Sequence, residues 1–592
     1  MNGGGVIETA RATAVVLAFT SVALVVCYGL GRLLGRLWRV ERCGTPEVDT
    51  TAWIGWGAAV AVIQIWHLAL RPGWVLALLL CCAGAAGLLL ARDDVRALAG
   101  AVWRTHARLA VAVVLVALWL ANTSLGPPRN GDSGLYHLQA VRWAATFPDV
   151  PGLANLLGRL GFTSSYTLYL ALPEALAGTG RGCHLANAAL LLLPIARGLW
   201  ALALAAGGRS RWTAGTLFDV LAVFPLVERV WSEQVLASAT PDLPVFVLGI
   251  VLTSLLLRAV EARDDHDGTD LRVAAVVWLA AVGVTVKLSF AAFALAAAAL
   301  ALFVGARRVR RDAHGAFVRR GFVPLAVCCA MVVVPWLVRS VVLSGYPLYP
   351  FPGLSVAVDW RVSRTAALDD YNWVRSWARR PGADWHAVLG TWSWFPGWVR
   401  RLTGLRYTLL TFCLPLAVAV VSLAVAAFAR RRHAGGSEVL LALAPAGVSL
   451  VYWFATAPEP RLAGSAAWVL GLGAASAAGA SLVPVGASRT GRVPALIALG
   501  LGGALLLVML WRRGLLPVAA GPDGGFHPAP TPVVETVRTK SGVEVIVPVG
   551  AEACWNAPIP CTPYLDPALR LRRGAELRWG FATAAPRGDH DR

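Results

Sequence analysis

Long apolar segments, separated by short charged or Pro- and Gly-containing breaks, constrain this chain more than any other feature. A helix that spans the hydrocarbon core of a bilayer needs about 20 predominantly apolar residues. Segments of this kind recur along most of the chain, so about fourteen spanning helices are predicted. They lie near residues 10–31, 52–70, 73–91, 108–125, 184–206, 213–227, 243–260, 272–286, 288–305, 322–341, 406–429, 437–456, 463–484 and 493–511. The predicted fold class is an all-α polytopic membrane protein.

The composition supports this class and excludes others. Of the 592 residues, 57% are hydrophobic and 15% are charged, whereas soluble globular proteins carry roughly 25% charged residues. A cytosolic enzyme is therefore excluded. The net charge of +20 would suggest nucleic-acid binding in a soluble protein, but in a membrane protein basic residues mostly report orientation. The lipid bilayer is thus the predicted surrounding, and no nucleic-acid partner is predicted.

Arginine clusters predict the orientation of the helices, because cytoplasmic loops carry the excess of basic residues. The clusters on one side fall within residues 32–42, 92–108, 209–211, 307–320, 430–432 and 489–492. This pattern is consistent if Tyr166–Ala177 is an interfacial helix within an external loop and if the apolar stretch 273–304 divides at Lys287. Arg512 and Arg513 are the main exceptions. We expect a protein of the bacterial cytoplasmic (inner) membrane, with both termini on the external face.

This topology divides the chain into parts. N-terminal spanning helices occupy residues 1–107, and a transmembrane core with an external loop at 126–183 occupies residues 108–341. A Trp-rich external loop, further spanning helices and an external tail domain follow at 342–405, 406–511 and 512–592. Residues Val533–Val549 of the tail predict a small β unit. Cys554 and Cys561 are expected to form a disulfide if the tail is external, whereas two free thiols would indicate a cytoplasmic tail.

The first external loop begins with a candidate amphipathic helix. Its apolar residues recur with helical spacing along one face: Tyr136, Ala140, Trp143 and Phe147. The pattern predicts a helix along the outer membrane interface, with Trp143 at the depth of the headgroups.

Asp132 lies just beyond a predicted span and just before this helix. Such a carboxylate can serve as the general base for an acceptor hydroxyl or amine, or it can simply cap the helix. His137 and Arg142 follow on the helix as candidate substrate-binding residues, with solvation or contact to lipid headgroups as the alternative.

Cations at the predicted external ends of three spans form a second group of candidates. Lys287 is one of only two lysines in the chain, and a charge at the edge of the hydrocarbon is costly and therefore a candidate for function. Arg339 ends one span and Arg461 precedes another. All three are predicted to bind a phosphate, with snorkelling or headgroup contact as the alternative. Asp242 also lies at an external helix start, where capping is the ordinary interpretation.

Seven tryptophans lie in the loop 342–405: Trp360, Trp373, Trp377, Trp385, Trp392, Trp394 and Trp398. Tryptophan rings can stack on sugars, but an interfacial aromatic belt explains them equally well.

These features together resemble the GT-C superfamily of membrane glycosyltransferases, which use polyprenyl-phosphate sugars. The similarity lies in Asp132 after a span, the interfacial helices that follow, the segment Pro335–Pro350 with Arg339, and Ala457–Arg461. Three shorter segments also resemble an uncharacterised bacterial family of large membrane proteins: Gly134–Trp143, Pro151–Asn155 and Cys561–Tyr564.

The resemblance implies that Asp132 is the catalytic carboxylate and that Lys287, Arg339 and Arg461 are ligands of the donor phosphate. Many members carry an acidic pair at the position of Asp132, whereas here Gly131 and Ser133 flank it. Asp242 or Glu233 would then supply a second carboxylate. The residues predict no metal site of their own, and the resemblance leaves the need for a divalent metal ion open.

The predicted function is that of an inverting glycosyltransferase. It would move a sugar from a polyprenyl-phosphate donor to an envelope glycan, lipid or protein on the external face. The alternative is a transporter or flippase of a lipid-linked precursor, which would show internal pseudo-symmetry and polar groups near the bilayer midplane. The candidates here gather at the outer ends of the spans, which favours the enzyme. A catalytically inactive scaffold is a third alternative.

Overall fold

Apolar helices dominate the structure, a computed structural model that describes residues 3–38, 47–105, 107–208, 210–232, 235–262, 266–311, 321–430, 437–482 and 518–583. Within these ranges, nine helices are long and apolar enough to cross a membrane. They are Gly5–Leu37, Val48–His67, Gly182–Ala206, Asp242–Glu261, Thr269–Val286, Leu288–Arg307, Phe322–Ser344, Arg406–Phe428 and Glu438–Thr456. The protein is therefore mostly helical and polytopic, as its hydropathy predicts.

Several other predicted spans form helices that are shorter or more polar than these nine. Three apolar helices are shorter: Trp74–Leu90, Ala107–Thr123 and Ala466–Ser481. The helix Ala214–Ser232 has 19 residues but carries ionisable side chains, including Asp219. The predicted span at 493–511 and the candidate carboxylate Glu233 lie outside the described residues.

Glycines allow the first helices to approach closely. A Cβ at Gly55 would collide with the carbonyl oxygen of Cys27, and one at Gly87 would collide with that of Gly29. Small residues of this kind bring helix backbones together in lipid, where hydrophobicity alone gives no preference for helix contact over lipid contact. The helix Gly3–Leu37 therefore packs tightly against Val48–His67 and Trp74–Leu90.

The helical stretch is interrupted at Lys287, as predicted. One helix runs from His266 to Val286 and the next from Ala291 to Arg311. Between them Lys287 is extended, with φ −153° and ψ 119°, and a 3₁₀ turn covers Leu288–Phe290. The break places the lysine side chain at the ends of two helices.

We call residues 126–181, 345–405 and 518–583 the cap, because these segments contact one another at one end of the helices. The helical elements of the cap are Ser133–His137 (a π-helix), Leu138–Thr146, Leu153–Asn155, Gly158–Gly161, Ser165–Ala177, Arg364–Arg379, Trp385–Val388, Phe395–Gly404 and Leu577–Trp579. Contacts between its segments include the ion pair of Arg572 with Asp359 and the backbone hydrogen bond from Phe581 to Pro151.

The segment 518–583, here called the tail, contains two small antiparallel sheets. Val534–Arg538 pairs with Glu544–Pro548 within the stretch predicted as a β unit, and Leu569–Leu571 pairs with Phe581–Thr583. Cys554 and Cys561 form a disulfide in the structure.

The prediction that Trp143 lies among lipid headgroups is wrong. The residue is only 2% exposed, and its ring packs against Phe581 of the tail at a centroid distance of 5.9 Å. Tyr136, Ala140 and Phe147 contact the same apolar cluster. The tail therefore covers the apolar face that resembled a membrane-binding surface.

The helix Ser165–Ala177 is also buried rather than interfacial. Its 13 residues extend about 20 Å at 1.5 Å per residue, too short to span a bilayer, as predicted. However, Tyr166, Leu168 and Leu170 have no solvent exposure, so this helix packs inside the protein.

Candidate functional site

Asp132 lies immediately before the π-helix Ser133–His137, and its carboxylate does not cap that helix. The side chain of Asn130 takes this role by accepting a hydrogen bond from the backbone nitrogen of Ser133 at 3.1 Å. The carboxylate of Asp132 instead pairs with Arg461, at 2.7 Å between Oδ2 and Nη2. The capping interpretation of Asp132 is therefore excluded.

Asp242 joins Arg461 to Lys287. It is the first residue of the helix Asp242–Glu261, and its backbone nitrogen donates to the hydroxyl of Thr240 at 3.3 Å. One carboxylate oxygen pairs with the Lys287 ammonium, and the other lies 3.8 Å from Nε of Arg461. We call Asp132, Asp242, Lys287 and Arg461 the ionic cluster. Its members come from four separate segments. Asp242 begins a helix, Lys287 separates two helices, and Arg461 lies in a short turn before another.

The ionic cluster is balanced and partly shielded from solvent. Its two carboxylates and two cations have a formal charge sum of zero. The exposed fractions of the side chains are 13% for Asp242, 21% for Lys287, 29% for Asp132 and 35% for Arg461. Burial opposes the charge of Arg461, but Asp242 and Asp132 raise the pKa of its guanidinium above the usual value. The two carboxylates therefore stabilise the charged form of Arg461.

A small cleft adjoins the cluster and is lined by polar and apolar groups. Asp242, Lys287 and Arg461 lie at its polar end. Its apolar lining includes Phe290 and Phe293, whose rings stack at 5.2 Å. The cleft thus places two cations next to an aromatic surface.

His137 is buried beside the cluster. It is 6% exposed, and neither ring nitrogen has a hydrogen-bond partner among the described residues. Burial lowers its pKa to about 4, although Asp132 and Asp242 act in the opposite direction. The imidazole is therefore neutral at pH 7 and has two free polar atoms.

Arg142, a predicted substrate ligand, instead binds the tail. Its guanidinium donates to the carbonyl of Asn556 at 3.0 Å and to the side-chain oxygen of Asn556 at 2.9 Å. Gln139, three residues earlier, donates to the carbonyl of Ala557 at 2.8 Å. These bonds use the polar side of the helix Leu138–Thr146 to hold the disulfide loop.

Arg339 is not part of the ionic cluster, contrary to its predicted place among the phosphate ligands. It donates to Asp149 at 2.9 Å and to the carbonyl of Ser164 at 3.1 Å. Asp149 also contacts His67 at 2.8 Å. The three side chains are 8%, 2% and 2% exposed, so Arg339 is occupied in a buried network that joins the cap to two spanning helices.

Trp555, to which the sequence analysis gave no role, holds the π-helix that follows Asp132. The backbone nitrogen of Trp555 donates to the carbonyl of Gly134 at 2.8 Å, and a Cβ at Gly134 would overlap the Trp555 indole. Trp555 itself has a positive φ of 41°, a conformation that non-glycine residues seldom adopt. The glycine was visible in the sequence, but no local pattern indicated its partner 421 residues later.

The described residues do not fit a protein-bound divalent metal. They contain no group of three or more His, Cys, Asp or Glu residues arranged to hold one. In the ionic cluster, Asp132 and Asp242 already pair with cations.

The fold and the ionic cluster define a polytopic membrane protein with a charged site where its helices meet a cap. The chain belongs to the family described as Domain of unknown function (DUF8201), which matches residues 14–467. The match includes all four residues of the ionic cluster and ends before the tail. No curated protein and no solved structure matches the chain.

Proposed function

We propose that this protein is a membrane glycosyltransferase of the GT-C type, which transfers a sugar from a polyprenyl-phosphate donor to a cell-envelope acceptor. The observation that carries the proposal is the convergence of Asp132, Asp242, Lys287 and Arg461 beside the cleft. Two cations suit a phosphate leaving group, and a nearby carboxylate suits an acceptor proton.

The donor binds with its phosphate at Lys287 and Arg461 and the first part of its lipid along Phe290 and Phe293. Both cations line the cleft together with these rings. Asp242 holds the Lys287 ammonium in place. The neighbouring serines Ser289, Ser449 and Ser465 supply further hydrogen-bonding groups to the donor.

In the transfer step, an acceptor hydroxyl attacks the anomeric carbon of the sugar and a new carbon–oxygen bond forms. The bond between that carbon and the phosphate oxygen breaks, with inversion at carbon. The electron pair remains on the lipid phosphate, which Lys287 and Arg461 stabilise. Asp132 takes the acceptor proton.

Donor binding also releases the base. Before binding, Arg461 is paired with Asp132 at 2.7 Å. A phosphate competes for the same guanidinium, so its arrival weakens this pair and frees the carboxylate of Asp132. Deprotonation of the acceptor is thereby confined to the donor-bound protein.

The cap faces the outside in this proposal. The disulfide Cys554–Cys561 supports that orientation, because disulfides persist in oxidising compartments. Arginine clusters at the opposite helix ends support it too. The full arrangement comprises about fourteen spans in the bacterial cytoplasmic membrane, a GT-C-like core at residues 108–341 and both termini outside.

The rival function, transport or flipping of a lipid-linked precursor, would use polar groups near the bilayer midplane. The ionic cluster instead lies at helix ends, in contact with the cap. This position favours chemistry at the membrane surface.

The deciding experiment measures transfer from radiolabelled polyprenyl-phosphate sugars in membranes that contain the protein. Asp132→Asn is expected to reduce transfer at least 100-fold, in line with loss of a general base. Asp566→Asn, an exposed carboxylate of the tail, is the matched control and should retain activity. Undiminished transfer by Asp132→Asn, in protein of unchanged stability, would overturn the assigned base.

The donor ligands can be separated in the same assay. Arg461→Gln is expected to raise the KM for the donor at least tenfold, because it removes a cation from the cleft. Arg339→Gln is expected to lower stability by about 3–5 kcal/mol, because it leaves Asp149 less compensated in a buried network. In the folded fraction of Arg339→Gln, the donor KM should be unchanged. A donor KM that rises equally in both variants would contradict this division.

A further inference from the structure

The seven tryptophans of the second cap loop occupy different environments. Trp394 and Trp398 are buried in an aromatic cluster, and Trp360 lies beneath the Arg572 guanidinium. Trp373 and Trp377, in contrast, are 39% and 42% exposed. The interfacial-belt interpretation therefore cannot apply to all seven together.

Trp373, Trp377 and Arg159 form an ordered stack. The two indoles lie one helical turn apart, with centroids separated by 4.8 Å and planes inclined by 21°. The guanidinium of Arg159 lies over Trp373, 4.3 Å from its centroid. Arg159 belongs to a different segment of the cap, the turn Gly158–Gly161. Two elements thus fix the orientation of this aromatic surface.

The two indoles point away from the spanning helix beneath them. Arg379, near the end of the same cap helix, donates to the carbonyls of Thr456 and Ala455, at the end of a spanning helix. At about 100° per residue, Trp373 and Trp377 lie roughly 120° and 160° around the helix from Arg379. Their side of the helix is shared by the exposed residue Asp369. A face with both aromatic and charged groups suits water better than lipid.

The stack begins beside the ionic cluster. Tyr136 is close enough to Asp132, Arg461 and Arg159 for all three to act on its hydroxyl electrostatically. Its ring also contacts Phe162, next to the turn that carries Arg159, at 6.1 Å. Arg159 therefore lies between the site of the proposed reaction and the two indoles.

We infer that Trp373, Trp377 and Arg159 form a binding subsite for a saccharide, which makes the acceptor of the proposed reaction a glycan. The flat carbon–hydrogen face of a sugar ring stacks on the outer face of the Trp377 indole, which Trp373 and Arg159 hold from behind, while Asp369 hydrogen-bonds its hydroxyls. A chain of several sugar units bound here has one end directed toward Asp132. This inference rests on the proposed glycosyltransferase function for the role of the glycan, but not for its binding.

Hydroxyl-radical footprinting of the full-length protein in lipid nanodiscs tests the inference. The probes are neutral hexasaccharides of mannose, arabinose, galactose and N-acetylglucosamine. Without a probe, Trp373 and Trp377 should be oxidised as water-exposed residues. At least one hexasaccharide should protect both of them at least threefold, while Trp392, which is 67% exposed in the same loop, should be unaffected.

Variants complete the test by calorimetric titration with the protecting hexasaccharide. Trp377→Ala should weaken binding at least tenfold, and Trp392→Ala is the matched control that should bind as the wild type does. Protection of both indoles by lipid in the absence of sugar, no binding of any hexasaccharide, or equal losses in the two variants would overturn the subsite.

Failure of the subsite and failure of the enzyme proposal give different results. Asp132→Asn should bind the hexasaccharide normally, because Asp132 lies outside the stack. Saccharide binding without any transfer activity would retain the subsite and refute the enzyme. Transfer that is unaffected by Trp377→Ala would retain the enzyme and refute the subsite as its acceptor site.

Discussion

Asp132 and Asp242 both lie at helix starts, where carboxylates ordinarily cap the helix, but the carboxylate of Asp132 makes no capping hydrogen bond. Each pairs with a cation from a distant segment instead. A capping carboxylate satisfies backbone N–H groups and has a local role. These two carboxylates interact with other charged groups, and this interaction distinguishes a functional site from an ordinary helix terminus.

Some of these charged residues can be recognised from the sequence, because burying their charge costs free energy at a position that the sequence shows. Lys287 and Arg461 are conspicuous because a cation at the edge of the hydrocarbon needs a partner, and both join the cluster. Arg339 satisfies the same criterion, but its partner is Asp149, a loop residue with no pattern around it. Charge at a helix end predicts that a partner exists, but not which partner.

The buried imidazole of His137 predicts a pH dependence of stability. Its pKa is lowered from 6.5 to about 4 in the folded protein. Above pH 6.5 the ring is neutral in both the folded and unfolded states, and its full contribution to stability is present. As the pH falls from 6.5 to 4, only the unfolded state gains the proton, so stability declines by up to about 3 kcal/mol.

Thermal unfolding in detergent measures this effect. The Tm of the wild type should fall more between pH 7 and pH 4.5 than that of His137→Phe, which keeps an aromatic ring that does not titrate. Parallel pH profiles for the two proteins would show that His137 is not the responsible group.

Among the secondary-structure elements, the long apolar helices could be predicted from the sequence, whereas the contacts that cover the cap helices could not. A helix in lipid must satisfy its own backbone, so its sequence carries the signal locally. The apolar face of the helix Leu138–Thr146 carries an equally clear signal, but a membrane and a protein partner produce the same pattern. Only the contact between Trp143 and Phe581 decides between them.

The π-helix after Asp132 depends on close contact with the tail, which predicts different effects for two nearby glycines. Gly134→Ala would place a methyl group inside the Trp555 indole, whereas a Cβ at Gly131 meets nothing within 4 Å. Gly134→Ala should therefore destabilise the protein by about 1–3 kcal/mol through overpacking and reduce transfer. Gly131→Ala should be near the wild type in both.

Thermal unfolding and the transfer assay on both variants check this prediction. Equal behaviour of Gly134→Ala and Gly131→Ala would mean that Trp555 does not hold the π-helix.

For the whole molecule, the cap orientation predicts which cysteines react from outside the cell. A membrane-impermeant maleimide applied to intact cells should label Cys554 and Cys561 only after an impermeant reductant opens their disulfide. The double variant Cys554→Ser/Cys561→Ser provides the background from other cysteines. Labelling that requires permeabilised cells would place the cap in the cytoplasm and refute the proposed topology.

The contact between Trp555 and Gly134 also has a consequence for biosynthesis. Residues of the tail leave the ribosome hundreds of residues after those of the first cap loop, and the spanning helices between them are inserted in the meantime. The π-helix beside Asp132 therefore receives its support only when the tail has reached the same side of the membrane. A nascent chain holds the four residues of the ionic cluster before it holds the finished cap, so assembly order delays the completed site until the tail has joined the cap.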